Sequence, residues 1–213
     1  MEIFVNKQSS ICIKGSRALW FDPWEVPEGE KADIIFLTHG HFDHFSPEDV
    51  VSLTKDETVY AVPVRLFAQE NGKAILHPSR SLPVIPAHHY ALGEVFFDTV
   101  PSYNINKPFH PRKDSWCGYV VTLDGKRIYV MGDSDATPEA ENVKCDILLI
   151  PVGGTFTMDW EEAAELAAKI SPELAIPTHY GPVAGDSKDG ERFMQRLKEL
   201  APEIRVELKL PQR

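Results

Sequence analysis

Cysteine is scarce in this chain, and the little there is has no pattern. Cys12, Cys117 and Cys145 are odd in number and show no C-x-x-C spacing, which argues against a disulfide framework. All three read as small buried hydrophobes of a reducing compartment. Long apolar runs are missing too. Met1 opens directly onto the alternating Ile3-Phe4-Val5, with no basic stretch leading into an apolar signal core, and no later run is long enough to span a bilayer. The expected location is the cytoplasm, with no membrane partner. Positive charge is short: 22 Lys+Arg stand against 32 Asp+Glu, a net charge of −10. That balance disfavours nucleic acid as a partner unless a local basic patch overrides it. There is no serine elbow, no phosphate-cradling glycine loop, no repeat, no linker and no low-complexity tract. What is present is ordinary for a globular protein: 213 residues, 43% hydrophobic and 25% charged. This is enough for one compact domain over 1–213 with a substantial core; composition leaves the oligomeric state open.

The feature that stands out is Thr38-His39-Gly40-His41-Phe42-Asp43-His44. It packs four metal-capable side chains into six positions directly behind Ile34-Ile35-Phe36-Leu37, an apolar run that reads as a buried strand. In an extended segment His39 and His41 point the same way and can grip one ion. Asp43 and His44 are adjacent and diverge, which suits a second ion nearby. Imidazole with carboxylate fits zinc, and also manganese, iron or cobalt.

Around this cluster the chain reads as alternating strands and helices. Residues 2–5, 11–14 and 18–21 form an opening meander, closed by Asp22-Pro23. Ser46-Pro47-Glu48-Asp49 starts a helix that runs through Leu53. A strand over 58–62 and a short helix over 64–69 follow, the latter closed by Asn71-Gly72. Pro78, Pro83 and Pro86 leave the elements of 74–86 undefined, and His77, His88 and His89 there read as surface or hydrogen-bonding histidines. Val95–Val100 is a strand that runs into a long loop carrying Asn104, Lys107 and His110. Lys107 is a candidate anion contact. Trp116–Leu123 and Lys126–Met131 pair across the tight turn Asp124-Gly125, and the second strand runs into Gly132-Asp133-Ser134-Asp135. Cys145–Val152 is another strand. Asp159 with Glu162 forms a capping box for a helix whose Ala163, Leu166, Ala167 and Ile170 share one face. Leu174–Ile176 then delivers Pro177-Thr178-His179-Tyr180-Gly181. A last helix over 191–200, with Phe193, Leu197 and Leu200 on one face, precedes a strand over 204–208.

The H-x-H-x-D-H string after an apolar strand resembles the signature of the metallo-β-lactamase superfamily. The later strings, in order, resemble its remaining motifs, and the wider chain resembles the branch of small metal-dependent hydrolases related to the ascorbate-phosphate lactonases. The resemblance implies an α/β (α+β) fold, a four-layer αββα sandwich with a two-metal site at one edge. It implies that Asp133 bridges two metals, that His179 completes the second, and that Asp22 supports the site from behind; as residues alone, Asp22 reads equally as a turn acid. In one place the sequence departs from the family. The third histidine of the first metal is replaced by Asn104, and the nearest histidine lies six residues later. Neutral amide oxygen is a poor zinc ligand beside imidazole, so His110 is favoured over Asn104. The expected ligand set is therefore His39, His41 and His110 on one ion, Asp43, His44 and His179 on the other, and Asp133 between them. Asp135 reads as a supporting or turn acid.

Two divalent ions, zinc before manganese, iron or cobalt, would hold a water that loses its proton near neutral pH, since zinc alone lowers that pKa to about 7. The expected function is metal-dependent hydrolysis of a small carbonyl or phosphate ester, a lactone or a phosphodiester, with Asp43, Asp133 and His110 closest to the chemistry. The alternative is a metal-binding protein with a non-catalytic or regulatory role.

Overall fold

The computed structural model describes residues 1–69, 76–181 and 183–211. Two sheets face each other, and each is drawn from one stretch of chain. The first holds β1 (Glu2–Lys7), β2 (Ser10–Lys14), β3 (Ala18–Phe21), β4 (Ile34–Phe36), β5 (Val59–Pro63) and β6 (Ser81–Val84), in that order across the sheet. The second holds β7 (His89–Leu92), β8 (Val95–Pro101), β9 (Cys117–Leu123), β10 (Lys126–Val130), β11 (Ile147–Pro151), β12 (Leu174–Thr178) and β13 (Arg205–Val206), again neighbour beside neighbour. β3 to β6 run parallel, as do β10 to β13.

The inner strands are apolar on both faces because both faces are covered. Ile11, Ile13, Leu19, Phe21, Ile34 and Phe36 point between the sheets, whereas Cys12, Trp20, Ile35, Tyr60 and Val62 point outward into a separate cluster. The outer face of the first sheet is covered by α1 (Pro47–Leu53) and α2 (Val64–Ala68) through Val50, Leu53 and Leu66. The second sheet is covered by α4 (Trp160–Ile170) and α5 (Asp189–Leu200), which follow the short α3 (Pro138–Glu141). The result is the expected αββα sandwich. Among the described residues no helix is long and apolar enough to cross a membrane.

Aromatic rings lock the two sheets together next to the metal-capable loop. Phe36 stacks on Phe21 at 4.7 Å and meets Phe97 and Tyr119 edge-on at 5.2 and 5.1 Å. Burying one such ring is worth about 1.5–3 kcal/mol. The Tyr119 hydroxyl donates to the carbonyl of Leu37 at 2.6 Å, so the second sheet fixes the end of β4 where the ligand loop begins. Gly132 completes the docking: its φ is +67°, and a Cβ there would stand 3.0 Å from the Thr38 side chain.

Local expectations hold where chemistry is local. Ser46 caps α1, Asp124 and Gly125 both take positive φ in the hairpin turn, and Asp159 and Glu162 form the capping box of α4. The undefined stretch resolves into a 3-10 turn at Pro78–Arg80 and the edge strand β6. Two expectations are corrected, and one element is new. α3, capped by Thr137, was not foreseen; it spans only four residues and has no periodicity to read. Leu200 does not share the packed face of α5, because the helix ends there beyond the sheet and leaves it 41% exposed. The last strand shrinks to Arg205–Val206, since only β12 lies beside it. Asn71-Gly72 lies outside the described residues.

Candidate metal centre

All seven predicted ligand residues meet at the C-terminal ends of the parallel strands. His39 follows β4, Asp133 follows β10 and His179 follows β12, while Asp43 and His44 sit on a turn just behind β4. That turn corrects the extended reading of the first motif. His44 and Phe45 donate their N–H groups to the carbonyl of His41 at 3.0 and 2.9 Å, so the chain curls at His41 and aims Asp43 and His44 away from it. Two clusters of ligand atoms result, His39 with His41 and His110, and Asp43 with His44 and His179.

Asp133 stands between them. Its Oδ2 lies 3.5 Å from His110 Nε2, 4.0 Å from His39 Nε2 and 3.1 Å from His179 Nε2, and its Oδ1 lies 3.2 Å from His44 Nε2. Asp43 Oδ2 lies 3.4 Å from His179 Nε2 and 3.7 Å from His44 Nε2, and His41 Nδ1 is 3.1 Å from His110 Nε2. Ligand atoms about 2.0–2.2 Å from a tetrahedral ion stand about 3.3–3.6 Å apart, and the distances here, from 3.1 to 4.0 Å, bracket that spacing. His39 Nε2, His44 Nε2, Asp133 Oδ1 and His179 Nε2 are all buried without a hydrogen-bond partner. Four orphaned atoms converging on one point are costly unless something binds them, and a pair of divalent cations fits that donor set.

The imidazoles are oriented from behind. Asp22, fully buried and at φ 46°, accepts from Thr38 N at 2.7 Å and Thr38 Oγ1 at 2.6 Å, and pairs with His44 Nδ1 at 2.8 Å. Thr38 spends its only hydroxyl proton on Asp22. Its oxygen must therefore accept from His39 Nδ1, 2.9 Å away, which leaves His39 Nε2 bare toward the centre. Asp22, Thr38 and His39 thus form a chain, and Asp22 is a support rather than a turn acid. Asp22 with His39 and His44 also forms a third metal-capable group, but hydrogen bonds already engage its carboxylate.

His110 is held by the residue expected to compete with it. Asn104 Oδ1 accepts from His110 N at 3.0 Å and faces His110 Nδ1 at 3.2 Å. Asn104 Nδ2 donates to Asp135 Oδ1 at 3.1 Å and to the carbonyl of Phe156 at 3.0 Å. Asp135 also accepts from Ile105 N at 2.8 Å and pairs with Lys107 Nζ at 2.7 Å, so Lys107 ties its loop to the segment after β10 and is not a free anion contact. His77, His88 and His89 lie on the surface away from the cluster; they bond Ser79, the carbonyl of Pro86 and Asp98. No local pattern singles out Gln8, whose carbonyl accepts from His179 N at 3.0 Å from a left-handed turn.

Burial and charge set the protonation of the ion-free cluster. Burial pushes His39, His41 and His110 below the ordinary histidine range. Burial also works against charge on His44 and His179, but Asp133, with Asp22 beside His44 and Asp43 beside His179, outweighs it. His44 is held well above its usual value, and His179 is raised to about 9. Asp133 is held well below the carboxylate range, because His179 and His44 overcome its burial. A raised histidine stabilises the fold fully below its unfolded value near 6.5 and ceases to do so as pH rises through about 9. Metal binding needs the same imidazoles neutral and strengthens as pH rises. Calorimetric melting temperatures should therefore fall for the metal-free protein between about pH 6.5 and 9, while those of the metal-loaded protein should hold or rise. Parallel trends in the two forms would contradict this account.

A cavity of about 300 Å³ opens onto the cluster, lined by His41, Phe42, Asp43, Phe109, Asp133, Phe156 and Val183. A larger hollow of about 740 Å³ lies at the opposite ends of β10 to β12, among Glu2, Lys126, Glu173 and Arg205, and holds none of these histidines.

Fold and centre together define a metallo-β-lactamase-type scaffold, and the comparisons with known proteins agree. The family model described as a beta-lactamase superfamily domain matches residues 5–179, and the chain belongs to that superfamily. Within it, the chain is 31% identical over 188 residues to a UPF0173 protein of Pyrococcus abyssi, covering 85% of this chain and 84% of that one. It is 29% identical over 173 residues to a UPF0173 metal-dependent hydrolase of Thermus thermophilus, covering 79% and 75%. Among solved structures, a candidate metal-dependent hydrolase from Parabacteroides distasonis superposes with a TM-score of 0.80 at 29% identity, covering 98% of this chain and 93% of that one. A metallo hydrolase of the archaeon Ignicoccus hospitalis gives 0.79 at 19% identity, covering 99% and 95%, a likeness of fold alone.

Proposed function

We propose that this metal-dependent hydrolase works with two divalent ions, zinc before manganese, iron or cobalt, on a small carbonyl or phosphate ester. The observation that carries the reading is the convergence of three buried, unpartnered imidazole nitrogens, of His39, His44 and His179, on the Asp133 carboxylate, whose Oδ1 is itself unpartnered. His39, His41 and His110 would hold one ion and Asp43, His44 and His179 the other, with Asp133 shared. Bound ions supply Lewis acidity, which lowers the pKa of water and polarises the oxygen under attack. The chain's own residues do the placing. Asp22 and Asn104 set the tautomers of the histidines they touch. Asp43, which lines the cavity, orients the attacking water and takes its proton, and the leaving oxygen departs toward the open side of the cavity. No serine or cysteine is needed as nucleophile; Cys12 and Cys117 are buried, with thiols pushed up to about 11 and about 12.

Elemental analysis with a turnover panel of lactones, phosphodiesters and amides is the test. Two ions per chain, loss of turnover on chelation and recovery on adding metal back are expected. Two tightly held ions with no turnover on any substrate would instead favour a metal-binding protein without chemistry.

A further inference from the structure

The walls of the cavity above the cluster are apolar, although its floor is charged. Phe42, Phe109, Phe156 and Val183 line it, and apart from His41, Asp43 and Asp133 no polar side chain does so among the described residues. Phe109 and Phe156 meet edge to face at 4.8 Å, and Phe42 is 67% exposed with its ring edge-on to Trp24 at 6.0 Å. An exposed aromatic beside a catalytic floor is a surface that gains by being covered.

Among the described residues no cation lines these walls, and those nearby in the chain are already engaged. Lys107 is paired with Asp135 at 2.7 Å, Arg112 with Glu139, and Arg65 with Asp114 at 3.0 Å. Lys7 is paired with Glu25 and lies over the Trp24 ring. A phosphate or phosphodiester keeps its negative charge on the oxygens flanking the reacting one, and sites that select it offer arginine forks or lysine. Here the arm of the substrate that projects from the floor would meet, among the described residues, phenyl rings and a valine.

Resting on the hydrolase reading above, we propose that the substrate is a small neutral carboxylic ester or lactone whose non-reacting arm is aromatic or bulky apolar. The reacting carbonyl sits on the floor at Asp43 and Asp133, and the arm lies between Phe109 and Phe156 with Phe42 across the mouth. Water oxygen bonds to the carbonyl carbon, the bond from that carbon to the alkoxy oxygen breaks, one proton ends on the alcohol, and the other is released as the carboxylate forms. The volume of about 300 Å³ is at the lower end for ligand pockets and limits the arm to about the size of one ring.

The test compares γ-butyrolactone, γ-phenyl-γ-butyrolactone and methyl phenyl phosphate on the metal-loaded protein. A phenyl arm should raise kcat/KM by about tenfold or more, in line with what apolar pockets achieve for small increments of surface, and the phenyl lactone should outrun the phosphodiester. Phe109→Leu and Phe156→Leu, checked for fold by circular dichroism, should shrink the ratio between the two lactones toward one. Equal rates on both lactones, or preference for the phosphodiester, would overturn the substrate class and leave the hydrolase reading standing. Absence of turnover on every substrate would instead strike at hydrolysis itself. In that case calorimetry decides the pocket's preference: phenylacetamide should bind at least tenfold more tightly than acetamide, and equal affinities would sink the proposal.

Discussion

Asp133→Ala should leave a protein that folds yet holds less than two ions and turns over about a thousandfold more slowly, or not at all. The reason is geometric, since among the described residues Asp133 alone has oxygens facing both clusters, with His110 and His39 on one side and His44 and His179 on the other. Lewis-acid stabilisation of a transition state is worth several kcal/mol, and each factor of ten in rate costs about 1.4 kcal/mol. A second readout does not depend on activity. Without Asp133, His44 and His179 lose the main partner that keeps them charged, so the fall in stability of the metal-free protein toward high pH should flatten. A variant with two tightly held ions by elemental analysis would show that the bridge is not needed.

The second large effect belongs to the loop that carries His110. His110→Ala should weaken one ion and cut kcat/KM by orders of magnitude. Asn104→Ala should cost about 10–100-fold, the usual toll for a residue that orients a ligand, because Asn104 gives His110 its hydrogen-bond acceptor and takes no place at the centre. Read from sequence, Asp135 is either a supporting acid or a turn acid. Its contacts with Asn104, Ile105 and Lys107 give it a share in the same loop, so Asp135→Ala should fall between Asn104→Ala and the unaltered protein. Activity lost with Asn104→Ala but kept with His110→Ala would reverse the two roles.

Much of this was legible in the sequence, for a physical reason. Ligands that follow an apolar strand announce themselves, because the strand is readable from its hydrophobicity and the ligands from their chemistry; His39, His41, Asp43, His44, Asp133 and His179 are all of that kind. His110 was harder, since a proline-bordered loop has no period, and only the poor ligating power of an amide pointed to it. The supports were mostly hidden. Thr38 and Gln8 are ordinary residues whose roles come from hydrogen bonds across the fold, and no local pattern encodes a partner far along the chain. Asp22 could be suspected only through the family likeness. Helix ends with capping chemistry were predictable where an apolar period followed; α3 has the cap at Thr137 but only four residues and so no period, and the shortened β13 has its limits set by its neighbour.

Each sheet is wound from its own half of the chain, strand beside consecutive strand. The ligand loop of His39 to His44 belongs to the first half, and His110, Asp133 and His179 belong to the second. Neither half contains a finished centre. On the proposed ligand set, a chain with one sheet formed and the other still open would carry only part of the centre. Activity should therefore return during refolding only when the rings of Phe36, Phe97 and Tyr119 close the seam between the sheets, and its return would report that the two halves have found each other.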